Sequence, residues 1–200
     1  MKITIPERIL ETYTYKDAII ELVERPETLY AGKSIHANGP GDGLDGAFGA
    51  RLDEEHMEDF SRVAGKTQPE YDVHVSINFW HPGHTALGFV FAREATSEDQ
   101  PEGVDVFRMP ASLFLRMYSD RAAARLLGKD ACEPWELFAF FRAKIMPKFG
   151  FVMAENGAQE LEIYEPGGHE CGWAYVPVEQ KRRRSPFGFK RKSAPDNGAA

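Results

Sequence analysis

The chain repeats itself at a spacing of 84 residues, which restricts it to folds built from two like units. Pro26-Glu27-Thr28-Leu29-Tyr30 has the pattern of Pro110-Ala111-Ser112-Leu113-Phe114, and the two prolines stand 84 positions apart. At the same spacing Ile77, Phe79, Trp80, Pro82 and Gly83 fall opposite Leu161, Ile163, Tyr164, Pro166 and Gly167. Gly88-Phe89-Val90-Phe91 likewise falls opposite Gly172-Trp173-Ala174-Tyr175. Proline, glycine and aromatic positions held in one register over three separated segments read as a tandem duplication.

Each half has the same order of elements. In the first, Thr28 to Ile35 reads as a strand, Asp53 to Ala64 as a helix, Tyr71 to Trp80 as a strand and Ala86 to Arg93 as its hairpin partner. Asp53 is the N-cap candidate, ahead of Glu54, Glu55 and the spaced apolar Met57, Phe60 and Val63. Tyr71, Val73, Val75, Ile77 and Phe79 alternate with the period of a strand. In the second half Ala111 to Tyr118 is a strand, Pro134 to Met146 a helix, and Leu161 to Tyr164 pairs with Trp173 to Val178. Pro134 suits a first helical turn, Leu137, Phe138, Phe141 and Ile145 form an apolar stripe, and Pro147 and Gly150 are read as its stop.

Two βαββ halves predict an α+β fold with pseudo-twofold symmetry, helices on one side of the sheet and a ligand groove between the halves. Residues 1 to 17 form an N-terminal extension, 18 to 180 the domain, opening with a strand over Ala18 to Glu24, and 181 to 200 a basic, flexible tail. The glycine-rich run from Asn38 to Gly49 reads as a mobile linker, since it lacks both a phosphate-loop ending and calcium-loop spacing.

Composition bounds the function classes. With 200 residues, 42% hydrophobic and 12% aromatic, the chain can close one sizeable core, which excludes collagenous, mucin-like and wholly disordered classes. No stretch approaches the roughly 18 apolar residues of a membrane span, and the first residues lack a secretory pattern, so a cytoplasmic location is expected. Cys132 and Cys171 can in principle pair, but two cysteines in a chain this size read as free thiols. The net charge of −7 hides an asymmetry: Lys181 to Ala200 holds seven basic residues and one acid, leaving an acidic body. Such a body repels nucleic acid and attracts cations, and any contact with nucleic acid or an anionic membrane is left to the tail.

The tandem order, the segment Leu161-Glu162-Ile163-Tyr164 and the segment Tyr175-Val176-Pro177-Val178 together resemble the GyrI-like domain, over roughly Ala18 to Glu179. That domain also serves as the effector-binding half of many bacterial drug-responsive transcription activators. The resemblance implies an acidic residue, just before an Ile-aromatic pair, at the floor of an aromatic-lined pocket that binds lipophilic, often cationic, compounds. The matching residues here are Glu162 and, late in the last strand, Tyr175. No helix-turn-helix is expected beside the domain, which points to a stand-alone sensor or sequestering module, or to an enzyme built on the same pocket.

Strand periodicity places Glu160, Glu162 and Tyr164 on one face and Leu161 and Ile163 on the other. We expect Leu161 and Ile163 beneath the helices and Glu162 and Tyr164 in the groove. Trp173 and Tyr175 share a face, and the repeat sets Asn78 and Trp80 opposite Glu162 and Tyr164, and Phe89 and Phe91 opposite Trp173 and Tyr175. Trp135, at the start of the second helix, is placed to close one end. A carboxylate among such rings suits a planar cation, each cation–π contact contributing roughly 0.5 to 2 kcal/mol. The plainer alternative is that the aromatics are sheet core and Glu162 a surface residue.

His81 and His84, with His169 or Cys171, could offer metal ligands, but turn histidines are mostly solvated and no metal is expected. Nucleophile-elbow and dinucleotide fingerprints are missing, so no cofactor is expected either. Three readings stay open. The first is binding of an amphipathic or cationic aromatic ligand; the second, hydrolysis of strained cyclopropane rings in natural products, as the resemblance implies for some stand-alone members, with Glu162 and Tyr164 activating water. The third is an interaction protein of the gyrase-inhibitor type. Oligomeric state is not legible.

Overall fold

The computed structural model describes residues 7–37, 50, 63–65, 73–77, 88–164 and 171–181. Ten strands appear among them: β1 (Arg8–Tyr15), β2 (Ala18–Arg25), β3 (Thr28–His36), β4 (Val73–Ile77), β5 (Gly88–Ala95), β6 (Asp105–Met109), β7 (Ser112–Tyr118), β8 (Phe151–Met153), β9 (Glu160–Tyr164) and β10 (Gly172–Gln180). They form one antiparallel sheet in the order β1-β2-β7-β10-β9-β4-β5-β3-β6, with β8 against β10. The class is α+β, as expected.

One rung crosses six strands: Lys33, Phe91, His74, Glu162, Ala174 and Met117 are successive register partners. Its centre falls between His74 on β4 and Glu162 on β9, so the order β3-β5-β4 meets β9-β10-β7 as a palindrome. The strands flanking this unit are exchanged. β2 precedes β3 in the chain but pairs with β7, and β6 precedes β7 but pairs with β3. The sheet is also strongly curled, since residues 26 and 27 alone join β2 to β3 although these lie six places apart in the order.

The front face is covered by helices. α1 (Arg121–Leu126) starts at Asp120, whose carboxylate accepts the backbone N–H of Ala123 at 2.9 Å. α2 is a composite run, 3-10 over Pro134–Glu136, α over Leu137–Phe140, π over Phe141–Ile145 and α again over Met146–Phe149. Pro147 does not stop it, contrary to expectation. Pro147 has no N–H to give to the carbonyl of Ala143, and the chain continues through a widened turn in which the Met146 N–H reaches the carbonyl of Phe141. Gly150 ends the run at φ +78°, where a β-carbon would be strained.

The helices bury Leu137, Phe138, Phe141 and Ile145 against Ile20, Leu22, Leu115, Met117, Ala174 and Val176. Each fully buried side chain of this size contributes roughly 1.5 to 3 kcal/mol. A second core on the back face joins Val23, Tyr30, Val90, Phe114, Leu161, Ile163 and Tyr175. Leu161 and Ile163 therefore lie away from the helices, and the expectation that they pack beneath them is corrected.

Strands β2, β3, β7, β9 and β10 stand within a residue or two of their expected bounds, and β5 is shifted toward its C-terminal end. Within the N-terminal extension lies β1, an edge strand paired with β2. The expected helix over 53–64 lies outside the described residues except for Val63 and Ala64, which are not helical. The linker over 38–49 and residues 182–200 of the tail also lie outside them. No described helix is long and apolar enough to cross a membrane.

Candidate functional site

The sequence ELEIY of β9 is buried at every position, in the middle of the sheet. Its neighbours on both sides are antiparallel strands, so its side chains alternate strictly between front and back. Glu160, Glu162 and Tyr164 fall on the front, the face that carries α1 and α2. Trp173 of β10 is register partner to Ile163, and Tyr175 to Leu161, which sets both rings on the back.

This separation reflects a register slip. Rung partners at equal distances from the centre are 84 positions apart for Lys33 and Met117, 83 for Phe91 and Ala174, and 88 for His74 and Glu162. A shift of one residue exchanges the faces of a strand. Phe89 and Phe91 consequently share the Glu162 face, while Trp173 and Tyr175 do not, and the equal-distance partner of Glu162 is His74 rather than Asn78. Asn78 and Trp80 lie outside the described residues.

Glu162 is 3% exposed. The hydroxyl of Tyr164 donates to its Oε2 at 2.5 Å. Among the described side chains, which do not include those of β4, no basic group pairs with it. Burial pushes its carboxyl up to about 8; the Tyr164 hydrogen bond opposes this, and the nearby Glu133 and Glu160 carboxylates add to it. The Tyr164 hydroxyl is held well above the usual phenol range by burial and by the same carboxyl. Glu160 is as buried as Glu162 but carries its own counter-ion, Arg142 from the π segment of α2. Burial still raises its carboxyl, against the pull of Arg142.

Trp135 is half exposed at the start of α2, whose first turn packs against β9 and β10. Its indole N–H donates to Glu133 Oε2 at 2.7 Å, and the Glu133 N–H is in turn capped by Glu136 Oε2 at 2.9 Å. On the far side of β4, Phe89 and Phe91 stack with centroids 6.4 Å apart. They mark the rungs of Glu160 and Glu162, two strands and about 10 Å away. The front face thus presents a neutral-prone carboxyl between two phenylalanines on one side and a tryptophan-capped helix start on the other.

The back face holds the remaining candidate aromatics in a different setting. Arg116 lies 4.1 Å above the Trp173 ring, which also meets Tyr118 edge-on at 5.2 Å. The Tyr175 hydroxyl accepts from Arg116 at 3.2 Å and donates to Glu7 at 3.3 Å, with Arg25 5.1 Å from its ring. Arg25 in turn donates to Tyr30 at 3.1 Å and Glu94 at 3.0 Å. The ring faces of Trp173 and Tyr175 are thus engaged by the chain's own guanidinium groups.

Glu133, Arg142 and His74 were not singled out from the sequence. Arg142 carried one readable sign, a charged residue inside the apolar stripe of a helix that also contains Pro147. Among the described residues no group of three or more His, Cys, Asp or Glu side chains is placed to hold a metal ion. His81, His84 and His169 lie outside them, Cys171 is exposed, and Cys132 is buried with its thiol pushed up to about 11, mainly by desolvation.

Neither a protein-family model nor a curated protein sequence matches the chain. Among solved structures it is similar to an integron cassette protein from Vibrio cholerae, at 10% identity and a TM-score of 0.49 over 80% of this chain and 95% of that one. It is similar to SAV2435 bound to tetraphenylphosphonium, at 11% identity and 0.48 over 80% and 93%. The C-terminal domain of EcmrR gives 13% identity and 0.48 over 80% and 97%. The likeness is one of outline, and the chemistry of the site is set by the side chains described above.

Proposed function

We propose that the front face of β9 binds a small lipophilic cation, with Glu162 as its anchor, and that the chain senses or sequesters such compounds. The observation that carries this reading is a fully buried carboxyl with a tyrosine as its partner and no cation among the described side chains. Burying an unpaired carboxylate is costly, so its ionised form is favoured only when a positive charge arrives. Phe89, Phe91 and Trp135 supply apolar and π surface around it, as a lipophilic aromatic cation requires. Tetraphenylphosphonium, the ligand named for SAV2435, is a fitting first probe.

Titration calorimetry at pH 8.5 with tetraphenylphosphonium and neutral triphenylphosphine oxide tests the proposal. Micromolar binding of the cation, weak binding of the neutral compound, and at least tenfold loss in Glu162→Gln are expected. Equal binding of both compounds, or a Glu162→Gln variant that binds like the wild type, overturns it.

The Glu162–Tyr164 pair also supports a second reading as a hydrolase. A carboxyl that titrates near 8 is matched to proton transfer around neutral pH, and an adjacent hydroxyl can hold a developing oxyanion. Incubation with a cyclopropane-bearing alkylating agent, followed by mass spectrometry, is the test. Multiple turnovers to a product heavier by one water, lost in Glu162→Gln, support hydrolysis; stoichiometric binding without product returns the site to capture alone.

A further inference from the structure

Glu160 and Glu162 stand two positions apart on one face of β9, which sets their Cα atoms about 7 Å apart. Both side chains are buried. One meets a guanidinium and the other a phenol, although strand, face and burial are the same. The difference comes from α2: its π segment carries Arg142 onto β9, and the widened turn there is the one that accommodates Pro147. Two buried carboxylates at this spacing form a floor for two positive charges, of which the described side chains supply one.

Resting on the reading of Glu162 as a cation anchor, we infer that Arg142 is a specificity-determining residue that limits the site to ligands with a single positive charge. Its guanidinium fills the place a second ligand charge would take and repels a second charge brought close to it. Without Arg142, Glu160 becomes a second buried carboxylate in need of a cation, and a rigid dication of matching span satisfies both. A lysine at the position keeps the charge and therefore the selectivity, while losing the fork geometry of the guanidinium.

The experiment compares 4-methylbenzamidine with benzene-1,4-dicarboxamidine, two permanently charged aromatic probes of similar size, by calorimetry on the full chain at pH 8.5. The wild type binds the monocation at least tenfold more tightly. In Arg142→Met the dication gains at least tenfold more than the monocation does, and Arg142→Lys keeps the wild-type ratio. Adding Glu160→Gln to Arg142→Met erases the gain. An unchanged ratio in a folded Arg142→Met, a switch in Arg142→Lys, or a gain that survives Glu160→Gln overturns the inference.

Glu160→Gln alone provides a second route if Arg142→Met fails to fold. It leaves the guanidinium facing the site without its carboxylate, and monocation affinity falls at least tenfold; no fall overturns the inference. A wild type that binds neither amidine, with Glu162→Gln indistinguishable from it, brings down the anchor reading itself and is recognisably a different failure.

Discussion

On the back of the sheet Glu7 and Glu94 are buried against Arg25 and Arg116, whereas on the front Glu162 is buried as deeply against a tyrosine. The two settings share one sheet, aromatic neighbours and comparable exclusion of water. The back network spans β2, β3, β5, β7 and β10, with the chain's own guanidinium groups on the rings of Trp173 and Tyr175, and within it Glu7 Oε2 meets Arg25 Nη1 only as an ion pair at 3.7 Å. The front carboxyl has a phenol in place of a guanidinium among the described side chains, and that difference is what the proposed cation site rests on.

The largest effect should come from breaking the back network. Arg25→Met takes from Glu94 the guanidinium it is buried against and leaves Glu7 with Arg116, and removing one partner of a buried pair costs about 3 to 5 kcal/mol. A fall in Tm of about 10 °C or more is expected for a chain of this size. Differential scanning fluorimetry checks it, and a shift of under 3 °C would show that the pairs are solvated.

Glu162→Gln should do the opposite to the fold. The carboxyl of Glu162 is raised in the folded state from an ordinary 4.5 to about 8. The folded protein therefore holds a proton the unfolded chain would release, and this stabilising contribution is complete below about pH 4.5 and is lost as pH rises toward 8. Chemical denaturation between pH 5 and 9 should show wild-type stability declining over that window and a flatter profile in Glu162→Gln. In the same range affinity for a permanent cation should rise, by about tenfold per unit up to pH 8, because the proton and the cation compete for one carboxylate.

Tyr164→Phe sharpens this further. It removes the hydrogen bond that favours the carboxylate, so the rise in affinity should begin at a higher pH while the plateau stays accessible. An onset at the wild-type pH would mean that the hydroxyl does not stabilise the charged form. The smallest effect belongs to Trp173→Leu: about 1 kcal/mol of stability is lost with the Arg116 and Tyr118 contacts, and cation affinity changes by less than twofold. A tenfold loss of affinity there would return Trp173 to the ligand site.

Much of the fold was legible because local pattern and global structure agree. Alternation in β2, β7 and β9, the turn residues between strands, and the apolar stripe of α2 each specify an element without knowledge of its neighbours. The pairing of Glu162 with Tyr164 on one face followed from period two alone. What did not follow was anything set by pairing across the chain. A slip of one residue between β5 and β10 leaves the sequence repeat intact while reversing which aromatics see Glu162. Arg142 meets Glu160 from the π segment of a helix expected to break at Pro147, and β1 and β6 are short or exposed edge strands with little apolar periodicity to announce them.

The exchange of β2 and β6 between the two halves has a consequence for how the molecule comes into being. Residues Glu21 and Arg116, joined across the β2–β7 seam, are 95 positions apart. When the first half has emerged from the ribosome, β2 still lacks its inner neighbour, and one edge of β3 stays bare until β6 is made. Contacts of such long sequence separation form late and slowly. The carboxyl-bearing strand β9 then enters a sheet whose outer members are already committed to one another, so a truncated or half-made chain has no means of burying Glu162 between β4 and β10.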